Sequence, residues 1–284
     1  LRPFGQASLK VARAALVDSD PLVRTVAIGG LEWLAPPARF IALKPLLEDP
    51  SRSVRIEAAR MLAEAWNVEQ ADTNDRSPVI EAAREYLAAQ IVSADMPATH
   101  LNLGVMHQRQ DAPRPAEAEY RTALTLDPWF APARFNLANL LNSQRRNEEA
   151  TTILRDGLVF TPDDGELYYS LGLLAGEEGN LEEAVDNFTR AALLMPVLAR
   201  IKYNLGLALQ RVGRLAESET VLLEARDLDS RDPDVLLALA RLLMNQQRWT
   251  EARIFADELS RLMPTALGPQ RLLNDIQLRE RRSR

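Results

Sequence analysis

The chain has 284 residues, of which 46% are hydrophobic and 26% are charged, and its formal net charge is −6. This acidic balance argues against nucleic-acid binding as the main task, because contacts to a phosphate backbone need clustered lysine and arginine. No apolar run approaches the roughly 18 residues that span a bilayer, so we expect no membrane insertion. The absence of cysteine excludes disulfides, thiol catalysis, cysteine-type zinc sites and haem attachment through Cys-x-x-Cys-His.

A loose repeat occupies the N-terminal region, residues 1–66. An Asp-Pro pair followed by Val-Arg-x-x-Ala occurs at residues 20–27 and again at 49–58. Each Asp-Pro predicts the start of a helix, with the aspartate as its cap and the proline in its first turn. Helical periodicity precedes each motif, over 6–17 and 38–48, although Pro45 must kink or shorten the second segment. Two such helix pairs resemble HEAT repeats.

The next segment, residues 67–96, combines a linker with a helix. Residues 67–76 are polar and predict a linker. Residues 77–94 predict one helix, in which Ala82, Tyr86 and Ala89 lie 34 residues before Ala116, Tyr120 and Ala123. We therefore interpret this helix as a half-repeat that caps the array that follows. An independent linker helix is the alternative.

Residues 97–266 repeat one pattern five times at an interval of 34 residues, without a gap. Each unit contains a leucine followed by glycine or alanine, then a small residue 12 positions later, and proline closes four of the five units. We expect each unit to be a pair of helices that the proline terminates. The small residues should let the helices approach, so that Gly104 faces Ala116 and Gly172 faces Ala184. The repeated leucines are Leu103, Leu137, Leu171, Leu205 and Leu239.

This pattern resembles the tetratricopeptide repeat (TPR), with units at 97–130, 131–164, 165–198, 199–232 and 233–266. His100 and Arg134 depart from it, because an aromatic residue is usual early in the first helix, whereas Tyr168 fits. After the last unit, residues 270–281 predict a capping helix whose apolar side covers the array. The basic tail could contact nucleic acid or acidic lipid, but we favour a solvated terminal charge run.

The predicted fold class is therefore all-α, an α-solenoid of two HEAT-like helix pairs followed by five TPR units with helical caps. The predicted domains are 1–66 (HEAT-like), 67–96 (linker and half-repeat), 97–266 (TPR array) and 267–284 (C-terminal cap and tail).

No catalytic, metal or cofactor site is predicted. His100 and His107 lie seven residues apart, with no cysteine or carboxylate cluster beside them in the sequence. We interpret both as structural. The glycine-rich stretch at 172–179 lacks the Gly-Lys-Ser/Thr of a phosphate-binding loop.

A peptide-binding groove is predicted on the first helices of the TPR units. Unit positions 2, 5, 6, 9 and 13 share one face, opposite the packed positions 4, 7, 8 and 11. Asparagine amides recurring at position 6 could donate to and accept from an extended peptide backbone, as the resemblance to peptide-binding TPR proteins also implies. The alternative is that position 6 is simply exposed and polar. The candidate groove residues are Asn102, Phe135, Asn136, Asn139, Tyr169, Ser170, Arg200, Tyr203, Asn204 and Arg241.

We expect a non-catalytic interaction scaffold whose partner is a protein or an extended peptide, with the oligomeric state left open. In addition, the helix motif at 85–90 and the Ala-Asp-x-Pro-x-x-His-Leu-Asn-Leu-Gly motif at 94–104 resemble the C-terminal part of bacterial multihaem cytochromes. This second resemblance implies the interaction module of a larger periplasmic electron-transfer protein. Without it, a cytoplasmic location is expected. The targeting arm of a larger enzyme is a further alternative.

Overall fold

The computed structural model describes residues 5–66, 71 and 75–283, and over these residues the only regular elements are helices, which confirms the predicted all-α class. Two compact units divide the chain, Leu1–Leu140 and Leu141–Arg284. Short 3₁₀ helices occupy Lys44–Glu48 and Ala63–Ala65. The α-helices are α1 (Gly5–Ala15), α2 (Pro21–Gly29), α3 (Pro36–Leu43), α4 (Arg52–Met61), α5 (Pro78–Val92), α6 (Pro97–Arg109), α7 (Pro113–Leu126), α8 (Ala131–Ser143), α9 (Asn147–Phe160), α10 (Gly165–Glu178), α11 (Leu181–Leu194), α12 (Ala199–Arg211), α13 (Leu215–Leu228), α14 (Pro233–Asn245), α15 (Trp249–Leu262) and α16 (Leu267–Ser283).

The two Asp-Pro motifs of the N-terminal region behave differently. At the first, Asp20 caps α2 by accepting a hydrogen bond from the N–H of Leu22 at 2.8 Å, as predicted. At the second, the helix begins two residues later than Pro50, at Arg52, so the predicted start is wrong. Asp49 still accepts a hydrogen bond from the N–H of Ser51 at 2.8 Å, and its two carboxylate oxygens also accept from Arg24, each at 2.8 Å, which joins this turn to the neighbouring helix pair.

Pro45 shortens the helix predicted over residues 38–48, as the sequence indicated. The α-helix α3 ends at Leu43, and the chain continues as the 3₁₀ helix Lys44–Glu48. Proline has no N–H to donate to the carbonyl four residues earlier, so the regular α-helical ladder stops there.

Helix α5 lies within the predicted range 77–94, but it packs mainly against α4 and the 3₁₀ helix Lys44–Glu48. Tyr86 is buried in one apolar core with residues of α1–α4 and with Met106 of α6. The proposed half-repeat cap is therefore also part of the core of the N-terminal helices. Most of the predicted linker, 67–70 and 72–74, lies outside the described residues.

The 34-residue period of the sequence is also the period of the helices. The left-handed turn between the two helices of each pair recurs at the same interval, at two glycines and three other residues. Positive φ suits glycine, which has no Cβ, and strains the other residue types. First helices begin at Pro97, Ala131, Gly165, Ala199 and Pro233. The residues with positive φ are Asp111, Arg145, Gly179, Gly213 and Gln247.

The space beside three glycines of the first helices is filled by large side chains and not by the small residues that we predicted there. A Cβ on Gly172 would lie 2.7 Å from Cδ1 and Cε1 of Phe188, not against Ala184. Similarly, the space beside Gly104 is filled by the ring of Tyr120, four residues beyond Ala116. Each glycine thus receives a large side chain from one turn further along the second helix. Ala184 instead approaches Gly176, whose Cβ position lies 4.0 Å away.

The three variable residues early in the first helices share one role. His100 Nε2 lies 2.9 Å from the carbonyl oxygen of Ala94, and Arg134 Nη2 donates to that of Pro128 at 2.7 Å. Tyr168 Oη donates to the carbonyl oxygen of Pro162 at 3.2 Å. Each side chain thus reaches back six residues, so His100 and Arg134 supply the contact that the aromatic residue makes at Tyr168.

The last helix, α16, begins at Leu267, three residues before the predicted start. Its Ile276 is fully buried against α14 and α15, and Leu272 and Leu273 pack partly buried beside it. This is the apolar side expected of a terminal cap. Within the described parts of the chain, no helix has the length and apolar character of a membrane span.

Candidate peptide-binding face

The candidate residues of the first compact unit, Leu1–Leu140, lie on α6 and α8. Asn102, Phe135 and Asn136 are half-buried, whereas Asn139 is exposed. Asn136 Nδ2 donates to the carbonyl oxygen of Pro132, one turn back in the same helix, at 2.8 Å. Position 6 of these units is therefore partly sheltered, with one amide donor of Asn136 committed to its own helix.

In the second compact unit, Leu141–Arg284, Tyr169 is the centre of a cluster that joins the third and fourth TPR units. Its hydroxyl accepts a hydrogen bond from Nδ2 of Asn204 at 2.8 Å. The guanidinium carbon of Arg200 lies 4.9 Å from the centre of its ring, within the range of a cation–π contact. We call Tyr169, Arg200 and Asn204 the Tyr169 cluster. All three residues were predicted for the groove, and the structure brings them together.

Two residues outside the prediction support this cluster. Glu166 accepts hydrogen bonds from Arg200 Nη2 at 2.7 and 3.0 Å, which holds the guanidinium over the ring. Phe188 packs against Tyr169 with its ring centre 5.8 Å away. Glu166 and Arg200 stand at the same position of successive units, so their opposite charges at a 34-residue interval are a sequence signal that could have revealed the pair.

The remaining candidates, Ser170, Tyr203 and Arg241, lie on α10, α12 and α14. Ser170 and Tyr203 are half-buried, and Arg241 is exposed. Burial raises the pKa of the Tyr203 hydroxyl, and the carboxylates of Asp234 and Asp232 raise it further, whereas Arg241 lowers it. Tyr203 therefore remains a neutral hydrogen-bonding group at physiological pH and lies within the field of Arg241.

The histidine predicted to be structural at position 100 has a partner at each ring nitrogen. His100 Nδ1 lies 2.6 Å from a carboxylate oxygen of Glu119, and Nε2 lies against the carbonyl of Ala94. Across the described ranges, no three side chains of histidine, aspartate and glutamate converge as metal ligands would. The contacts described on this face are hydrogen bonds, a cation–π contact and aromatic packing.

Comparisons with known proteins agree with this architecture. Tetratricopeptide-repeat models match residues 108–174, 165–196 and 203–266, which together span just over half of the chain. A search among curated proteins found no match.

Solved structures of similar fold come from several proteins. Yeast Tom70 superposes with a TM-score of 0.65 at 16% identity, over 98% of this chain and 59% of its own. Pseudomonas aeruginosa PilF matches 80% of this chain and 99% of its own, with a TM-score of 0.55 at 20% identity. YrrB, described as a TPR protein with an unusual peptide-binding site, matches 65% of this chain and 95% of its own, with a TM-score of 0.53 at 18% identity.

At these identities the structural likenesses show the fold alone, and the family is shown by the sequence models and by the 34-residue helix period. The chain therefore consists of tetratricopeptide repeats over residues 108–196 and 203–266.

Proposed function

We propose that the chain is a non-catalytic scaffold that binds an extended polypeptide on the first-helix face of its TPR units. TPR solenoids are generally protein-interaction scaffolds, and the face described above offers aromatic area beside amide and guanidinium donors. YrrB, which has a similar fold, is itself described as having a peptide-binding site.

The Tyr169 cluster is the observation that carries this proposal. Asn204 donates to Tyr169, and Arg200 is fixed over its ring by Glu166, so the side chains of two repeats are ordered before any ligand arrives. Groups that are already ordered lose less side-chain entropy on binding, which favours affinity. The second amide hydrogen and the oxygen of Asn204 remain able to pair with a peptide backbone.

The test compares wild type with a double variant that carries both Asn136→Ala and Asn204→Ala. A partner would be recovered from an extract of the source organism, purified, and titrated by calorimetry. Two lost hydrogen bonds, each worth about 0.5–1.5 kcal/mol, should weaken binding by roughly 1–3 kcal/mol. That change corresponds to about ten- to a hundredfold in Kd.

Asn187→Ala is the matched control. Asn187 lies on the second helix α11 and donates to the carbonyl of Glu183 at 3.0 Å, one turn back, as Asn136 does to Pro132. It therefore has the same local bond but lies off the face, so its loss should leave affinity unchanged. Equal affinity of the double variant and wild type would show that position 6 is merely polar surface.

We infer in addition that residues 5–66 form HEAT-like repeats. The arginine of each Val-Arg-x-x-Ala motif makes the same two contacts: Arg24 donates to Asp49 of the next helix pair, and Arg55 donates to Glu85 of α5. Each also donates to a backbone carbonyl of the preceding loop, that of Asp18 or Asp49, at 2.7 Å. Equivalent residues with equivalent contacts support a structural repeat.

A second candidate function is the interaction module of a larger multihaem cytochrome or the arm of a larger enzyme. The motif at 94–104 favours the cytochrome, although two of its residues already have packing roles, since His100 bonds Glu119 and Gly104 accommodates Tyr120. Covalently bound haem in the full-length protein, measured by mass spectrometry, would support this candidate. Its absence there would exclude the cytochrome.

A further inference from the structure

A cleft of about 980 Å³ lies between α12, α14 and the capping helix α16, all within the second compact unit, Leu141–Arg284. Its walls include Leu237 of α14 and Leu272 of α16, together with Met244 and Met263. Tyr203 and Arg241, both candidates for the peptide-binding face, also line it. The cleft is therefore continuous with that face at its C-terminal end.

The charges of the cleft are unlike those of the rest of the chain. Three arginines and two aspartates line it, which leaves a net positive charge in a chain whose formal charge is −6. Asp275 is paired with Arg279 at 2.9 Å. Among the described residues, Arg241 and Arg271 have no ion-pair partner, and both are exposed. These two guanidinium groups are available to carboxylates of a ligand.

We propose that this cleft binds an acidic peptide segment that carries large apolar side chains. The inference rests on the proposed scaffold function and adds the class of its ligand. Apolar side chains of the peptide would enter between Leu237, Leu272 and the methionines, whose flexible thioethers adapt to different shapes. Its carboxylates would pair with Arg241 and Arg271, and the net positive charge of the lining disfavours basic segments.

The experiment selects from a phage library of random twelve-residue peptides against the whole immobilised chain. Enriched peptides are then synthesised with a fluorescent label and titrated by polarisation. We expect enrichment of peptides that combine aspartate or glutamate with leucine, phenylalanine or other large apolar residues. Raising the salt concentration should weaken their binding severalfold, because exposed charge pairs are screened.

A double variant that carries both Arg241→Glu and Arg271→Glu should bind these peptides at least tenfold more weakly than wild type. Arg211→Glu is the control, since Arg211 is also exposed and has no ion-pair partner among the described residues but lies outside the cleft. Thermal unfolding checks that each variant is folded, and Arg241→Gln with Arg271→Gln replaces the reversal if it is not.

Each outcome separates this inference from the scaffold function. Peptides that are basic, or that bind the cleft variant as tightly as wild type, would overturn the cleft inference. If such peptides still lose affinity in the variant Asn136→Ala with Asn204→Ala, the scaffold function stands without it. A selection that enriches nothing overturns the inference as well, and the titration of the extract partner then decides the scaffold function by itself.

Discussion

The N-terminal helix pairs and the TPR units each have a recurring contact between helices, and these two contacts differ in kind. In the N-terminal region, an arginine of one pair reaches a carboxylate of the next, as in Arg24–Asp49 and Arg55–Glu85. In the TPR units, a glycine on the first helix receives a large side chain of the second, as in Gly172 and Phe188. The first contact depends on charge and hydrogen bonding, and the second on shape.

This difference predicts which region should be sensitive to added side-chain volume and which to pH. A packed contact depends on volume, so it should be insensitive to pH and sensitive to one added methyl group. The contribution of a partly buried ion pair to the free energy of unfolding depends on the charge of its carboxylate, so it should change with pH. The same contrast reaches the candidate site, because the Phe188 ring that fills the space at Gly172 also packs against Tyr169.

The largest effect is expected from Gly172→Ala. Its new methyl group would lie 2.7 Å from the Phe188 ring, so the helices must separate or the ring must move. We expect a loss of about 1–3 kcal/mol in the free energy of unfolding, measured by urea denaturation. Gly176→Ala is the control on the same helix, because its Cβ would meet Ala184 at 4.0 Å.

The control should be neutral or stabilising by up to about 1 kcal/mol, since alanine favours helix more than glycine does. Adding Phe188→Leu to Gly172→Ala should recover part of the loss, since the smaller side chain gives room. Equal destabilisation by the two alanine substitutions would show that shape complementarity at Gly172 does not hold this pair of helices together.

A smaller, pH-dependent effect is expected from Asp49→Asn in the N-terminal region. Burial alone would raise the pKa of Asp49, but hydrogen bonds from Arg24 and from the N–H of Ser51 outweigh it and hold the pKa below its ordinary value. Loss of the charge should cost about 0.5–1.5 kcal/mol at neutral pH.

Because the folded-state pKa of Asp49 is lowered, its contribution is fully present above the ordinary carboxyl range, near pH 4. It is lost as pH falls through the lowered folded value. Urea unfolding at pH 7 and near pH 3 should therefore show a gap between wild type and Asp49→Asn that shrinks in acid. Asp20→Asn, which keeps a good helix cap, should show no such gap. A gap of constant size would assign the loss to packing instead of charge.

Much of the fold could be predicted from the sequence, because the 34-residue period and the breakers between helices are local signals. The partners of Gly104 and Gly172 could not, since sequence spacing does not give the angle and offset at which two helices cross. The role of Asp49 was also predicted only in part: it accepts from the N–H of Ser51, as a local motif indicates, but its bonds to Arg24 of another helix could not be predicted from the Asp-Pro pair.

The candidate site was predictable to the level of a face but not of its hydrogen bonds. The period places Tyr169, Arg200 and Asn204 on one side of successive helices, and the structure has them in contact. Whether an asparagine amide bonds its own helix, as in Asn136, or a neighbouring repeat, as in Asn204, depends on the side chains opposite. The supporting Phe188 comes from a second helix, which a search along first helices passes over.

The smallest effects concern the turns that set the geometry of the packed pairs. Arg145 and Gln247 have φ values of 64° and 60°, at the positions where Gly179 and Gly213 have 83° and 82°. Residues with a Cβ are strained in this left-handed region by about 1–2 kcal/mol, whereas glycine is not. Glycine also has greater entropy in the unfolded chain, which offsets part of the gain. We therefore expect Arg145→Gly and Gln247→Gly each to stabilise by about 0.5 kcal/mol, and Gly179→Ala and Gly213→Ala each to destabilise by about 1 kcal/mol.

No atom lies within 4 Å of a Cβ at Gly179 or Gly213, so any loss there reports backbone strain and not crowding, in contrast to Gly172. Thermal unfolding of the four single variants ranks them directly. If the alanine variants at the turns lost as much stability as Gly172→Ala, the turn geometry and not the packed glycine would be what maintains these helix pairs.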